Sequence, residues 1–196
     1  FYALELAARG YVTLAADAIG FEDRQHPVLQ GQDYERFEAN KRLTEGSCLQ
    51  AKMLWDLIRA LDYLAARREV DARRIGCLGH SLGGQETLFL CAIDRRVAVG
   101  VSSCGFSSYR ALFDGAINHN FAAYVPGLLQ YGDLDRVLGL VAPRPFLALA
   151  GKDDPIFPLA GAHATVRAAR RAYAEAAHRV RLRVFPGGHG FSAPMR

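Results

Sequence analysis

Short, almost wholly apolar runs alternate with longer segments of helical period along most of this chain. Four of these runs have the length of buried strands, at residues 11–16, 75–78, 97–101 and 146–150. Strands that lack polar positions are typical of a parallel sheet covered by helices on both faces. The pattern therefore predicts an α/β fold.

A fifth strand is predicted at residues 180–185, and its pattern is different. Val180, Leu182 and Val184 alternate with arginines, so that one face is apolar and the other is charged. Side chains alternate between the two faces of a strand, so the charged face is expected to contact water. This strand is predicted at an edge of the sheet.

Apolar residues at three- and four-residue spacing predict helices between the strands. These segments are residues 54–64, residues 88–92 after Gly84, and residues 160–177, and a further helix is expected at residues 1–9. Residues 19–36 and the aromatic-rich residues 105–132 do not fit the alternation and are predicted as long loops. The second loop is expected to form a lid or pocket segment, a satellite core of aromatic side chains, or both. With no repeat or linker, residues 1–196 are expected to form one domain.

Composition excludes several classes of protein. Of 196 residues, 51 % are apolar and 22 % are charged, which is typical of a folded chain with one sizeable core and excludes disorder. No apolar run approaches the roughly 20 residues of a membrane span. The net charge of +4 comes from scattered arginine pairs rather than from one basic stripe, so no nucleic-acid partner is expected.

The four cysteines, Cys48, Cys77, Cys91 and Cys104, contain no C-x-x-C pair, so they predict neither a zinc knuckle nor a thioredoxin motif. Buried free thiols in a reducing, cytoplasmic compartment are expected. The chain begins at Phe1 rather than at methionine, which favours a missing upstream segment and leaves a signal peptide there open.

The motif that carries chemistry is G-x-S-x-G at residues 79–83, between a predicted strand and a predicted helix. It predicts Ser81 as a nucleophile on a sharp turn, with Gly79 and Gly83 removing side chains that would collide there. The backbone N–H of Leu82 is the expected oxyanion donor, because it lies at a helix N-terminus. The side chain of His80 is expected to point elsewhere.

A serine nucleophile needs a base, and the base needs an orienting acid. The base is predicted to be His189, on a glycine-rich loop after the last strand; the other histidines lie in the predicted loops or in the final helix. Asp153 and Asp154 both follow the fourth strand. Asp154 is preferred because Pro155 fixes its turn, whereas Asp133 and Asp135 are better explained as helix-start residues.

Four segments together resemble the dienelactone-hydrolase-like α/β hydrolases: G-H-S-L-G-G, A-P-R-P at 142–145, G-x-x-D-P-x-F-P from 151, and P-G-G-H-G-F from 186. This branch includes acetylxylan-esterase-like enzymes and other carboxylesterases, and it shades into the prolyl oligopeptidase catalytic domain. The resemblance implies an α/β-hydrolase fold and a serine carboxylic ester hydrolase that forms an acyl-enzyme. It implies a small-molecule ester substrate, no metal and no organic cofactor.

The chain departs from this family in two ways. Dienelactone hydrolases proper carry a cysteine where this chain has Ser81. The family's sheet also begins with strands that have no counterpart here, one of which ends in the loop that supplies a second oxyanion donor. Phe106 and Tyr109 are expected to shape the acyl pocket. A prolyl-oligopeptidase-like peptidase and a binding protein without turnover stay open as alternatives.

Overall fold

The computed structural model describes residues 2–191. Within them the backbone forms two compact units, one of residues 2–73 and 120–125, the other of residues 74–119 and 126–191. The expectation of one domain stays a prediction.

The second unit is built on a four-stranded parallel sheet. Its strands are β1 (Ile75–His80), β2 (Val97–Ser103), β3 (Phe146–Gly151) and β4 (Val180–Phe185). They lie side by side in chain order, and every pair is parallel. The four predicted strands of this region are confirmed, with β4 at an edge. All four carboxyl ends therefore lie along one edge of the sheet.

Helices connect these strands. They are α4 (Leu82–Ile93), α5 (Tyr109–Asp114), α6 (Leu134–Gly139) and α7 (Leu159–Tyr173). Helix α4 packs on β1 and β2, while α7 packs on β3, β4 and α6. The predicted inward side chains Val166, Ala169 and Tyr173 of α7 are buried. The predicted helix ends early, because residues Ala174–Arg179 continue as a 3-10 helix that starts at positive φ.

Arg144, in the A-P-R-P segment, fixes the C-terminal end of α4. Its guanidinium donates hydrogen bonds to the carbonyl oxygens of Asp94 (3.0 Å), Val97 (2.8 Å) and Cys91. The hydroxyl of Tyr173 in α7 donates to the carbonyl oxygen of Arg144 at 3.0 Å. Carbonyl groups that a helix end leaves without an intrahelical partner are thereby satisfied.

The first unit contains α1 (Tyr2–Ala8), α2 (Gly31–Thr44) and α3 (Leu49–Ala65), with short 3-10 turns at Glu22–Arg24 and Phe121–Ala123. Helix α3 confirms the stripe predicted at residues 54–64, with Leu54 and Leu61 buried.

Two predictions for the first unit are wrong. Part of the predicted loop at 19–36 belongs to α2, whose sequence lacks an apolar stripe. That helix is held by polar contacts, such as the 3.0 Å ion pair of Arg42 with Glu38. Residues 11–16 form no strand, and Tyr11 is 64 % exposed. A strand needs a partner for its backbone hydrogen bonds, and none of the strands in residues 2–191 pairs with this run.

Residues 105–132 are also more regular than the sequence indicates. They contain α5, the turn Phe121–Ala123 and a further 3-10 turn at Leu128–Gln130. Asp133 caps α6 through Leu134 N–H at 2.7 Å and also accepts the N–H of Tyr109 at 2.8 Å. Its prediction as a helix-start residue is confirmed.

Candidate active site

Ser81 occupies the turn between β1 and α4. Its backbone has φ 56° and ψ −122°, and its N–H donates to the carbonyl oxygen of Ser103 at 2.8 Å. A positive φ is costly for a residue with a side chain and persists only when the surroundings enforce it. This turn places the hydroxyl of Ser81 at the carboxyl edge of the sheet.

Close backbone packing surrounds this turn. A Cβ atom on Gly79 would collide with the carbonyl oxygen of Gly83, so only glycine fits at 79. A Cβ on Gly83 would meet nothing within 4 Å, so the prediction that Gly83 is needed to avoid a collision is wrong. The second crowded position is Gly84, where a Cβ would lie 2.8 Å from the Cα of Gly105.

Three predicted residues are joined by hydrogen bonds at this edge. His189 Nε2 lies 2.8 Å from Ser81 Oγ, and His189 Nδ1 lies 2.9 Å from Asp154 Oδ2. Each residue follows a different strand: Ser81 follows β1, Asp154 follows β3 and His189 follows β4. The arrangement has the geometry of a nucleophile, a base and an orienting acid.

Asp154 is held from several sides. Its Oδ1 accepts the N–H groups of Ile156 and Phe157, both at 3.0 Å, and its side chain is 1 % exposed. Burial raises the pKa of this carboxyl, but hydrogen bonds from His189 and from the two N–H groups more than offset it, so the pKa lies below the usual value. Asp154 is therefore ionised at neutral pH and accepts the Nδ1 proton of His189.

Asp153 takes a different position. Its backbone N–H donates to the carbonyl oxygen of Gly187 at 2.9 Å, while the residue as a whole is exposed. It thus holds the loop that carries His189 without joining the hydrogen-bonded chain. Of the two carboxylates, Asp154 is hydrogen-bonded to His189, which agrees with the preference for it, and its role as the orienting acid stays a prediction.

His80 lies beside the site, so the prediction that its side chain points elsewhere is wrong. Its ring centroid is 5.0 Å from that of His189 and 5.9 Å from that of Phe191, and its Nδ1 lies 3.2 Å from Ser103 Oγ. Burial, and then repulsion by a charged His189, lower the pKa of His80. The second imidazole is therefore neutral at neutral pH.

The ring of Phe157 also contacts the ring of His189. The two ring centroids are 5.6 Å apart at an interplanar angle of 24°. Phe157 also contacts His119, at 4.3 Å between centroids, and His119 Nε2–H donates to the carbonyl oxygen of Ile156 at 2.7 Å. Burial lowers the pKa of His119. Nothing in the sequence around His119 indicates this contact.

Cys104 is another neighbour that sequence reasoning missed. It directly follows β2, and its Sγ lies with donor atoms of Asp154 and His189 in a group whose members are all within 4.8 Å of one another. Its position shortly after a predicted strand is the feature of the sequence that could have indicated a place at the site. Burial raises the pKa of this thiol above its usual value. A hydrogen bond with the Gly151 backbone offsets part of this effect, and the nearby charge of Asp154 raises the pKa further.

The remaining predicted residues occupy defined places. Leu82 begins α4, where the first N–H groups of a helix have no intrahelical partner. Phe106 is buried with its ring centroid 6.2 Å from that of Phe146, and Tyr109 is buried at the start of α5. The oxyanion role of Leu82 and the pocket roles of Phe106 and Tyr109 stay predictions.

All four cysteines are free thiols, as expected, but only Cys91 and Cys104 are buried, while Cys48 and Cys77 are half-buried. No helix within residues 2–191 combines the length and the apolarity that crossing a bilayer requires.

The parallel sheet, its helices and the serine turn define the α/β-hydrolase fold. The sequence model of the prolyl oligopeptidase family matches residues 3–196, and the chain belongs to that family. The family resemblance expected from the sequence is thus confirmed at the level of α/β hydrolases.

Among curated proteins, the chain is 34 % identical over 159 residues to YtaP of Bacillus subtilis (strain 168), whose name describes it as a hydrolase. The match covers 80 % of this chain and 51 % of YtaP. A carbohydrate esterase, MZ0003, from an unknown prokaryotic organism is 30 % identical over 111 residues, which is 48 % of this chain and 26 % of that protein.

Solved structures with similar folds include a Bacteroides fragilis protein assigned as an acetyl xylan esterase, with a TM-score of 0.76 and 16 % identity over 93 % of this chain and 49 % of that one. A glucuronoyl esterase from Solibacter usitatus has a TM-score of 0.64 and 23 % identity over 76 % of this chain and 47 % of that one. These likenesses show the fold. The chain spans about half the length of YtaP and of these two structures.

Proposed function

We propose that this chain carries the reaction centre of a serine-dependent carboxylic ester hydrolase. The observation that carries the proposal is the continuous hydrogen-bonded chain from Ser81 Oγ through His189 to the ionised Asp154. A serine hydroxyl is a weak nucleophile by itself, and an adjacent base held by a carboxylate is the arrangement that activates it.

In the first half of the reaction, Ser81 Oγ attacks the ester carbonyl carbon while His189 Nε2 takes the hydroxyl proton. Asp154 holds the Nδ1 proton and stabilises the imidazolium that forms. The N–H of Leu82 donates to the carbonyl oxygen as it becomes negative. The tetrahedral intermediate then collapses, and His189 gives its proton to the departing alcohol, which leaves an acyl group on Ser81.

In the second half, a water molecule takes the place of the alcohol. His189 Nε2 removes a proton from this water as the oxygen attacks the acyl carbon. Collapse of the second intermediate releases the carboxylic acid and returns the proton to Ser81 Oγ. One ester and one water give one acid and one alcohol, so the enzyme is unchanged.

We infer that the substrate is an ester of a carbohydrate. Similar proteins whose names state a substrate class include a carbohydrate esterase, an acetyl xylan esterase and glucuronoyl esterases. The Ser81 nucleophile disfavours dienelactone hydrolysis, since the enzymes of that name use cysteine. The second candidate is peptide-bond hydrolysis, which the prolyl oligopeptidase family model favours.

Fluorophosphonate labelling followed by intact-mass measurement tests the nucleophile. We expect one adduct on the parent protein and on Ser47→Ala, which changes an exposed serine, and no adduct on Ser81→Ala. An adduct that persists on Ser81→Ala would overturn the assignment of the nucleophile. A folded parent protein that stays unlabelled would point to a binding protein without turnover.

Substrate profiling separates the two reactions. We expect release of acid from p-nitrophenyl acetate, from acetylated xylo-oligosaccharides or from an alkyl glucuronate, with no release of amine from a prolyl-peptide amide. Faster turnover of the peptide amide than of every ester would replace the esterase proposal with the peptidase.

A further inference from the structure

Cys104 has no part in the proposed reaction, yet its sulfur belongs to the same cluster as the acid and the base. Donor atoms of Cys104, Asp154 and His189 all lie within 4.8 Å of one another. The cysteine is 2 % exposed, and its N–H donates to the carbonyl oxygen of Leu149 at 2.7 Å, so β2 and β3 hold it in place. The Sγ also lies 3.9 Å from the carbonyl oxygen of Gly190 in the loop of His189.

These three groups are the ligand types that Zn²⁺ selects. Zinc takes imidazole nitrogen, carboxylate oxygen and thiolate sulfur at about 2.0–2.3 Å in a tetrahedron, so its ligand atoms lie roughly 3.3–3.8 Å apart. His189 Nδ1 and Asp154 Oδ2 are 2.9 Å apart, with a proton between them. If this pair moved apart and the sulfur, which lies within 4.8 Å of the other donor atoms, moved closer, the three ligands would occupy three corners of the tetrahedron.

The charges of the cluster also suit a divalent cation. Asp154 contributes one negative charge, a Cys104 thiolate contributes a second, and His189 binds as a neutral ring. With a doubly charged metal the group has no net charge, which removes much of the cost of burying ions. A hard cation such as Mg²⁺ prefers octahedral oxygen ligands and has no such complement here.

We propose that Cys104, Asp154 and His189 form an inhibitory binding site for a thiophilic divalent cation of the zinc class. The metal replaces the Nδ1 proton of His189, which moves to Nε2, and the thiol proton of Cys104 leaves to solvent. Metal binding therefore releases one proton overall. With a proton on Nε2, His189 donates to Ser81 Oγ and can no longer accept its proton.

The inhibitory consequence rests on the proposed esterase function, whereas binding of the metal does not. Binding is therefore measured spectroscopically with Co²⁺, which gives an intense charge-transfer absorption when a thiolate coordinates it. Inhibition is measured with Zn²⁺ after preincubation, using hydrolysis of p-nitrophenyl acetate and fluorophosphonate labelling of Ser81. A failure of ester turnover leaves the absorption measurement intact, so the two proposals fail separately.

The variants are Cys104→Ser, Cys104→Ala and the matched control Cys48→Ser, which removes a half-buried thiol from the other compact unit. We expect the charge-transfer band in the parent and in Cys48→Ser, and its loss in both Cys104 variants. The Zn²⁺ concentration for half-inhibition should rise more than about 100-fold in the Cys104 variants, since loss of even an outer partner costs roughly 10- to 100-fold.

Two further results complete the test. A chelator should restore activity, and Mg²⁺ at equal concentration should leave it unchanged. The proposal is overturned by a parent protein without the band, by a band that persists without Cys104, or by equal inhibition of parent and Cys104 variants.

Discussion

The imidazole of His80 packs against the imidazole of His189, with 5.0 Å between the ring centroids. During the proposed reaction His189 becomes positively charged, and a second charge at this distance would oppose it. Because the pKa of His80 is lowered, first by burial, this neighbour stays neutral and supports the ring of the base by contact.

We therefore expect His80→Gln to lower kcat by roughly 10- to 100-fold, because small displacements of a catalytic group have effects of this size. KM should change little, since the substitution does not alter a group that binds substrate. Steady-state kinetics over a pH series measure both, and the exposed His163→Gln serves as the control. A kcat equal to that of the control variant would show that His80 does not position His189.

The two adjacent carboxylates allow a matched comparison of the orienting acid. Asp154→Asn should lower kcat by about 10⁴-fold, because an amide favours the wrong tautomer of the histidine. Asp153→Asn keeps the backbone bond to Gly187 and should stay within a few-fold of the parent. Rates of ester hydrolysis at saturating substrate measure the difference, and equal losses in both variants would contradict the assignment.

Substitution of alanine for the two glycines of the serine turn should change the stability of the fold in opposite directions. Gly79→Ala places a Cβ against a backbone carbonyl and should destabilise the fold by roughly 1–3 kcal/mol, the usual cost of overpacking. Gly83→Ala meets open space within α4 and should stabilise it by roughly 0.5–1 kcal/mol, because alanine favours helix. Urea unfolding of the two variants measures both changes. Similar destabilisation of both would indicate that Gly83 is also crowded.

Glu35 in α2 predicts how stability depends on pH. Burial raises the pKa of its carboxyl above 4.5, although hydrogen bonds from the N–H groups of Ala122 and Phe121 partly offset this. The folded chain therefore binds a proton more tightly than the unfolded chain. Glu35 thus makes stability fall as pH rises from about 4.5 through the raised pKa of the folded state.

Glu35→Gln keeps an oxygen that can accept the N–H of Ala122 and removes the ionisation. We expect a higher urea midpoint than the parent at pH 7 and a smaller difference at pH 4. The exposed Glu45→Gln is the control. A variant that is less stable than the parent at pH 7 would contradict this account.

The fold of the second unit could be predicted from sequence because each of its strands has a recognisable local pattern of apolar and polar residues. Strands that are buried on both faces consist of apolar runs. The alternation of apolar residues with arginines predicted the bounds of β4, which are Val180–Phe185 in the structure. The candidate site followed from the same reasoning, since parallel strands bring the residues after their carboxyl ends to one edge. Ser81, Asp154 and His189 were each predicted in this way, and hydrogen bonds join them in the structure, while their catalytic roles stay proposals.

What sequence reasoning missed depends on contacts between distant residues. The apolar run at 11–16 looks like a strand, but a strand forms only beside a partner. Helix α2 carries no apolar stripe, and its buried Glu35 is satisfied by the N–H of Ala122, which is 87 residues away. The ring of His80 is oriented by contacts with Ser103 and Phe191. Because both residues are distant in sequence, the position of His80 next to Ser81 does not indicate where its ring points.

The hydrogen bonds of Arg144 have a consequence for how catalysis can be adjusted. Helix α4 has 12 residues and is therefore about 18 Å long, with Ser81 before its first residue and the Arg144 contacts at its last turn. Because α4 is one continuous helix packed on β1 and β2, we expect a substitution at Arg144 to change the orientation of the N–H of Leu82, the proposed oxyanion donor. Turnover could thus be tuned from the far side of the sheet unit, with every reacting side chain left in place.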